Sequence, residues 1–188
     1  KNKEIVGTGT DKDIISVGDG DNTITASDGD NTITATAGAD LITSGTGNDL
    51  IDAGAGDNDI NAGAGNNDIT TTTGADTIVS AGGDDVINAG AGLNTITAGD
   101  GANTITTGAD KDIITSGSGK DIITADDGDN TITAGDGDNT ITATDGADDV
   151  TAGAGHDDIN VGAGDNVVAA GAGNNTVTAT TGADYITS

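Results

Sequence analysis

The sequence predicts an all-β solenoid in which short parallel strands stack along a common axis. A nine-residue pattern, G-x-G-x-[D/N]-x-[I/V]-x-small, repeats twenty times from Gly9 to Ser188 without an insertion or a deletion. A fixed period of this kind is typical of repeat proteins whose units stack on one another. The second half of each copy alternates as a half-buried strand does, and the frequent glycines would interrupt a helix.

The first half of each copy, places one to four, is predicted to be a turn. Gly18-Asp19-Gly20-Asp21 is an example. Glycine tolerates positive φ and allows neighbouring backbones to approach closely. Place three is Gly in every copy except two, which have Asp11 and Asp110. The chain is therefore expected to change direction at these glycines.

The second half, places five to nine, is predicted to be a short strand. In the copy that begins at Gly18, alternation puts Asn22, Ile24 and Ala26 on one side and Thr23 and Thr25 on the other. Place seven is Ile or Val in all twenty copies, so that side is expected to face the interior. Each copy thus offers one aliphatic and one small residue to a thin core.

The chain is expected to divide into a leading half-copy, residues 1–8, and one continuous solenoid, residues 9–188. The leading segment holds two of the five lysines and an Ile5-Val6 pair. No shift in composition and no linker follows Gly9.

Composition and charge restrict the partners. Phe, Trp, Met, Cys and Pro are absent, and 32 acidic residues stand against 5 basic ones, for a net charge of −27. Such a balance argues against nucleic acid and anionic membrane surfaces as partners. No apolar run approaches the length of a membrane span, so no membrane insertion is expected. A chain this acidic with so little core is expected to fold only when cations offset its carboxylates.

Place five shows a second, longer period on top of the nine-residue one. It is always Asp or Asn, and the two types alternate in pairs with a period of 36 residues. We refer to Asp copies and Asn copies accordingly. Place five holds Asp13, Asp40, Asp49, Asp76, Asp85, Asp112, Asp121, Asp148, Asp157 and Asp184 in the Asp copies, and Asn22, Asn31, Asn58, Asn67, Asn94, Asn103, Asn130, Asn139, Asn166 and Asn175 in the Asn copies.

The repeat resembles the RTX nonapeptide, G-G-x-G-x-D-x-U-x, over essentially the whole chain. The small residue at place nine stands where that family has its first Gly, and Gly-x-Gly-x-Asp-x-Ile-x follows. The resemblance implies a right-handed parallel β-roll with two copies per 18-residue coil. It also implies Ca²⁺ between successive coils, held by Asp carboxylates and by backbone carbonyls of the turns, which suits a hard cation that prefers oxygen. By this resemblance the Asp and Asn residues given above for place five are the predicted metal ligands.

Two coil sizes fit the periodicity, and two departures from the family bear on affinity. In an 18-residue coil, which the resemblance favours, Asp and Asn would alternate from coil to coil at place five. In a 36-residue coil, Asp would lie above Asp and Asn above Asn. The family's first Gly is Ala, Ser, Thr or Val here, as at Ala53, Ser80, Thr107 and Val161. Asn at half of the ligand places lowers the charge of each site, although an amide oxygen can still bind Ca²⁺.

No catalytic site is indicated, so the chain is not expected to be an enzyme. The single His, His156, falls at a turn place with no nucleophile beside it. Acids at places two and four, such as Asp19 and Asp21, are expected to be solvated surface charge.

These features predict a secreted or cell-surface bacterial structural module, stabilised by Ca²⁺ and serving as a stalk, surface-layer or filament building block. Strands without a distinct capping repeat predict self-association, either as end-to-end stacking or as continuation of a longer array. Thr-x-Thr segments such as Thr95 to Thr97 resemble those of ice-binding solenoids, which is the alternative. A third hypothesis is the calcium-dependent tail of a secreted enzyme or toxin.

Overall fold

The computed structural model describes residues 1–7 and 9–188 and contains twenty-one short strands. In chain order they are β1 (Glu4–Val6), β2 (Ile14–Ser16), β3 (Thr23–Thr25), β4 (Thr32–Thr34), β5 (Leu41–Thr43), β6 (Leu50–Ala55), β7 (Asp59–Gly63), β8 (Asp68–Thr73), β9 (Thr77–Ser80), β10 (Val86–Gly90), β11 (Thr95–Gly99), β12 (Thr104–Thr107), β13 (Ile113–Ser116), β14 (Ile122–Ala125), β15 (Thr131–Gly135), β16 (Thr140–Ala143), β17 (Asp149–Ala152), β18 (Asp158–Asn160), β19 (Val167–Ala169), β20 (Thr176–Thr178) and β21 (Tyr185–Thr187).

The strands form two parallel sheets, and successive strands along the chain belong alternately to one sheet and the other. The odd-numbered strands make an eleven-stranded sheet and the even-numbered strands a ten-stranded sheet, each in sequence order. Ile96 of β11 pairs with Ile114 of β13, and Ile105 of β12 pairs with Ile123 of β14, so partners are 18 residues apart. The predicted parallel β-solenoid with 18 residues per coil is confirmed. At about 4.8 Å per coil, ten coils span about 48 Å.

The alternative coil of 36 residues is wrong. A single row of aliphatic side chains from each sheet fills the interior, and two facing sheets are enough to cover both rows. A coil of four copies would enclose a wider space than one Ile and one small residue per copy can fill, and empty space in a core is costly.

The core is the row of place-seven and place-nine residues, as predicted. Ile24 and Ala26 are fully buried, whereas the place-six residue Ile113 remains 45% exposed. The small residue at place nine lets the chain turn without leaving the interior. The core is one continuous cluster along the whole axis.

The turns stack as closely as the strands. The N–H of Gly47 donates to the carbonyl of Ala64 in the next coil at 2.9 Å, and this bond recurs along the axis. Gly83 shows why place three is Gly: its φ is +128°, and a Cβ there would overlap the carbonyl oxygen of Gly65. Positive φ and close approach together require a residue without a side chain.

The leading segment also contributes a strand. β1 pairs with β3 in a register of 19 residues, with Glu4 opposite Thr23. The N–H of Lys3 donates to Asn22 Oδ1 at 3.1 Å. Within the described residues, no helix has the length and apolar character that crossing a membrane requires.

Candidate metal centre

Place five lies where the turn enters the strand, so its side chains form two columns along the axis. One column runs from Asn22 through Asp40 to Asp184, and the other from Asp13 through Asn31 to Asn175. Within each column Asp and Asn alternate from coil to coil, because consecutive members are 18 residues apart. All members are buried except Asp13, Asn175 and Asp184 near the two ends, which are half-buried. The structure therefore brings the predicted ligands into two lines.

Each column is held together by side-chain Oδ1 atoms. The N–H of Asn22 donates to Asp40 Oδ1 at 2.8 Å, and the N–H of Asp40 donates to Asn58 Oδ1 at 3.1 Å. The second column repeats the pattern, with the Asn31 N–H donating to Asp49 Oδ1 at 2.8 Å. Asp and Asn therefore accept the same bond from the preceding coil. Each of these bonds satisfies a backbone donor that would otherwise be buried without a partner.

In the Asn copies the second branch of the side chain closes the turn. Asn31 Nδ2 donates to the carbonyls of Ser27 and Gly29 at 3.0 and 2.8 Å. These are places one and three of its own copy. Asn94 makes the same pair of bonds to Gly90 and Gly92 at 3.3 and 3.0 Å. The amide is thus a donor inside a ring of backbone acceptors.

In the Asp copies the corresponding branch has no partner. The Oδ2 atom is buried and accepts no hydrogen bond in the described part of the chain in nine carboxylates: Asp13, Asp40, Asp49, Asp76, Asp85, Asp112, Asp121, Asp148 and Asp157. A buried carboxylate oxygen left in this state costs several kcal/mol unless a proton or a cation reaches it.

The place-three carbonyls also differ in hydrogen bonding between the Asn copies and the Asp copies. In the Asn copies, Gly29 and Gly92 accept bonds from the side-chain amide. For the Asp copies, no hydrogen bond to a place-three carbonyl, such as that of Gly47 or Gly119, is seen among residues 1–7 and 9–188. Nine of the ten Asp turns therefore combine a carboxylate oxygen and a place-three carbonyl oxygen for which the described residues supply no hydrogen-bond donor.

Burial raises the pKa of the place-five carboxyls. Desolvation is the largest cause at Asp49, Asp85, Asp112, Asp121 and Asp148. Hydrogen bonds from the Asn of the preceding coil oppose it at all five, and so do the hydroxyls of Ser44, Ser80, Thr107 and Ser116 at the first four. The raised pKa expresses the cost of holding an uncompensated negative charge in a dry turn.

Buried hydroxyls accompany the central Asp copies. Ser44 is fully buried at place nine, next to Asp49, and its Oγ donates to the Ala62 carbonyl at 3.0 Å. Sequence reasoning noted the varied residues at place nine but missed that the hydroxyls precede Asp copies only. The hydroxyl residues and the carboxylates that follow them are Ser44 and Asp49, Thr71 and Asp76, Ser80 and Asp85, Thr107 and Asp112, and Ser116 and Asp121.

These atoms fit a hard divalent cation. Carboxylate, carbonyl and hydroxyl oxygens are the ligands that Ca²⁺ takes. Among the described residues, no group of three or more His, Cys, Asp or Glu side chains comes together. A cation would therefore be held by one carboxylate with the place-one and place-three carbonyls of its turn. It would supply the positive charge that the buried carboxylate lacks.

The acids at places two and four are exposed, as predicted, but they are also bonded between coils. Asp84 Oδ1 accepts the Ala102 N–H at 2.8 Å, and Asp138 Oδ1 accepts the His156 N–H at 2.8 Å. His156 continues this outer column, because its Nδ1 accepts the Asn174 N–H at 3.0 Å. Their oxygens have donors already, in contrast to the buried Oδ2 atoms.

Comparison with protein families gives one match. The family model described as the RTX calcium-binding nonapeptide repeat (4 copies) matches residues 7–42, 34–69, 61–96, 70–105, 89–123, 124–159 and 160–188. Together these segments cover the chain from residue 7 to its last residue. Comparison with curated proteins and with solved structures finds no significant match.

Proposed function

The chain belongs to the family of RTX calcium-binding nonapeptide repeats, and from this premise we propose that it is a secreted or cell-surface structural module that folds on binding Ca²⁺. The RTX roll is a structural calcium-binding module rather than a catalytic fold. In this proposal the ions lie at place five and connect the turns of the solenoid. Location outside the cell suits it, because calcium is plentiful there and weak sites of the extracellular class are then filled.

The buried Oδ2 atoms without partners carry this proposal. Nine carboxylates share the arrangement, and the net charge of the chain is −27. The core contributes one aliphatic side chain per copy, which is little hydrophobic burial to set against so much like charge. Cations bound in the turns would offset the negative charge, and they would also give the buried carboxylate oxygens a partner. Their binding free energy then contributes to folding.

The test is removal and return of the metal. We expect the metal-stripped chain to lose the circular dichroism signal of β-structure at neutral pH, and millimolar CaCl₂ to restore it. An equal ionic strength of NaCl is the control, because screening alone should not replace a bound ion. Retention of the full signal and of the melting temperature after metal removal would contradict the proposal.

As a structural unit the solenoid suits a stalk, a surface layer or a filament. The two sheets are continuous along the axis, and exposed strand edges of a sheet can pair with strands of another copy. Sedimentation and electron microscopy in calcium distinguish these arrangements. Filaments of this chain alone indicate self-association, and monomers argue against it.

Ice binding is the second candidate, and one feature favours it. Thr97, Thr115, Thr133 and Thr151 occupy place eight on four consecutive strands of the eleven-stranded sheet, with outward side chains. The row is bounded by Val79 and Ala169, so it is short. Thermal hysteresis in calcium tests this function, and its absence leaves the structural role.

The third candidate is a calcium-dependent tail of a secreted enzyme or toxin. In that case the catalytic part lies outside these 188 residues. The metal-dependent folding proposed above is common to all three candidates.

A further inference from the structure

The Asp and Asn copies differ by one atom that faces the same space. In both types Oδ1 is held by the N–H of the preceding coil: Asp85 donates to Asn103 Oδ1 at 3.0 Å, and Asn103 donates to Asp121 Oδ1 at 2.9 Å. Both side-chain groups are planar. With Oδ1 held alike, the remaining atom, Nδ2 in Asn or Oδ2 in Asp, points into the turn of its own copy.

That space is filled in the Asn copies. Asn103 Nδ2 lies 3.2 Å from the Gly99 carbonyl oxygen and 3.3 Å from that of Gly101. The amide therefore satisfies the place-one and place-three carbonyls and leaves them little capacity for a metal ion. In the Asp copies no amide fills this space: the Ser116 hydroxyl lies beside the Asp121 carboxyl but donates to the Ala134 carbonyl at 2.9 Å, and Asp121 Oδ2 has no hydrogen-bond partner within the described residues.

We propose that the side-chain amide of each Asn copy takes the place of a cation, so that the chain binds Ca²⁺ at its Asp copies alone. This inference rests on the proposed function, since it concerns where the ions lie. It assigns up to ten sites per chain rather than twenty, at Asp13, Asp40, Asp49, Asp76, Asp85, Asp112, Asp121, Asp148, Asp157 and Asp184.

The place-nine hydroxyls support the division independently. Five buried hydroxyl residues precede Asp copies, and the corresponding residue before every Asn copy from Asn31 to Asn175 is Ala or Val. Thr107 Oγ1, beside Asp112, is buried and also lacks a partner in the described structure. Additional oxygen atoms thus occur where a cation is proposed and are missing where the amide closes the turn.

Binding at the Asp copies alone also increases the distance between neighbouring ions along each column. Because coils are about 4.8 Å apart, ions at every second coil would be about 9.6 Å apart. Doubling the distance from one coil to two halves the Coulomb repulsion between neighbouring ions, because this energy varies inversely with distance. The 36-residue period of Asp and Asn then has a physical function, which is to keep divalent charges apart within a narrow solenoid.

Calcium stoichiometry tests the inference directly. Metal-stripped protein is dialysed against CaCl₂ in high NaCl, which suppresses loose binding to surface acids, and bound calcium is measured by atomic emission. We expect no more than ten ions per chain. Asn94→Asp should add one ion and Asp112→Asn should remove one, because each exchanges the amide and carboxylate at a single turn.

Charge-matched variants one place or a few coils away provide the controls. Thr95→Asp adds the same charge as Asn94→Asp, and Asp59→Asn removes the same charge as Asp112→Asn, but both positions are exposed on a strand. Neither control should change the ion count. In metal-free buffer, where the parent chain is expected to be largely unfolded, Asp112→Asn should increase the residual circular dichroism signal of β-structure and Asn94→Asp should decrease it, because the amide closes the turn and the carboxylate leaves it open.

The outcomes separate this inference from the proposed function. A parent chain that binds no calcium overturns both. A chain that binds well over ten ions, or in which Asn94→Asp adds none while calcium still promotes folding, overturns the division between copies alone. Should either variant fail to fold, the ion count of the parent chain still decides between ten sites and twenty.

Discussion

The backbone N–H of Asn94 donates a hydrogen bond to Oδ1 of Asp112, one coil further along the axis, at 2.8 Å. Asp112 in turn donates to Asn130 Oδ1 at 2.9 Å. Asp and Asn are therefore equivalent as acceptors between coils. They differ in their second side-chain atom. Asn brings Nδ2, which donates to carbonyls of its own turn, whereas Asp brings Oδ2, which has no donor there. The column can thus be continuous while its charge is confined to every second coil.

Two adjacent glycines should respond very differently to a methyl group. Gly83 has a φ of +128° and no room for a Cβ beside the Gly65 carbonyl, whereas Gly82 has ordinary φ and its nearest neighbour, Asp100 O, would lie 3.6 Å from a Cβ. We expect Gly83→Ala to lose about 1–3 kcal/mol from backbone strain, with a further loss from the overlap. Gly82→Ala should be nearly neutral. Urea unfolding in calcium measures both, and equal losses would contradict this account of place three.

The thin core predicts a strong contrast between two isoleucines. Ile105 is fully buried at place seven, and Ile113 is 45% exposed at place six. We expect Ile105→Ala to lower the free energy of unfolding by about 2–5 kcal/mol, because it removes a large part of the core of its coil. Ile113→Ala should cost far less. Chemical unfolding of the two variants in saturating calcium gives the comparison, and similar losses would mean that the place-seven row is not the dominant core.

Metal-free protein should become more stable as the pH falls from neutrality. Burial raises the pKa of Asp112 and Asp121 above the ordinary value of 3.8. The folded metal-free chain then binds more protons than the unfolded chain, so this stability is present at low pH and is lost as the pH rises through the raised pKa values. We expect metal-stripped protein, which lacks β-structure at about pH 7.5, to regain part of its circular dichroism signal at about pH 5. A signal that is larger at the higher pH would contradict it.

Two effects should limit this gain at low pH. Hydrogen bonds from Thr46 and Ser118 lower the pKa of the exposed Asp28 and Asp100. Their contribution is therefore present above the ordinary value and is lost as the pH falls below it. Protons also compete with Ca²⁺ for the buried carboxylates, so the melting-temperature increase produced by calcium should shrink as the pH is lowered. A matched titration with and without calcium measures both trends.

The negative charge at place four should be dispensable. Asp84 Oδ1 accepts the Ala102 N–H at 2.8 Å, and in the same outer column Asn66 Oδ1 accepts the Asp84 N–H at 2.9 Å. An amide oxygen thus already performs this task one coil away. We expect Asp84→Asn to preserve stability and calcium stoichiometry, and Asp84→Ala to cost about 1 kcal/mol through the lost bond. Loss of a calcium ion in Asp84→Asn would make place four part of the metal site.

Local features of the fold were predictable because every nine-residue copy contains the pattern that determines them. Alternation around Ile24 fixes which side of the strand is buried, and a Gly at place three fixes where the turn lies. Both depend on interactions within a few residues. The number of residues per coil was less accessible, because the alternation of Asp and Asn fits coils of 18 and of 36 residues. Pairing of Ile96 with Ile114 resolves this, and that contact lies between different copies.

The candidate site was predictable in its residues but not in its atoms. Place five was identified from its invariant Asp or Asn, and the family match from residue 7 to the end of the chain agrees with the expectation of calcium. From the sequence, Asn31 differs from Asp49 only in the lower charge it brings to a site, since either can supply an oxygen ligand. The structure distinguishes them by the hydrogen bonds of one side-chain atom: Asn31 Nδ2 donates to backbone carbonyls, and Asp49 Oδ2 is buried without a partner.

The sequence by itself thus determined the repeat, the strand, the buried face and the residues that meet at place five, since all follow from local alternation and from the conformational freedom of glycine. Only the tertiary structure decided the coil size, the order of Asp and Asn along each column and the identity of the unpaired oxygens. Those features depend on which residue of the next coil comes to lie above a given one, and a pattern that is the same in every copy cannot specify that neighbour.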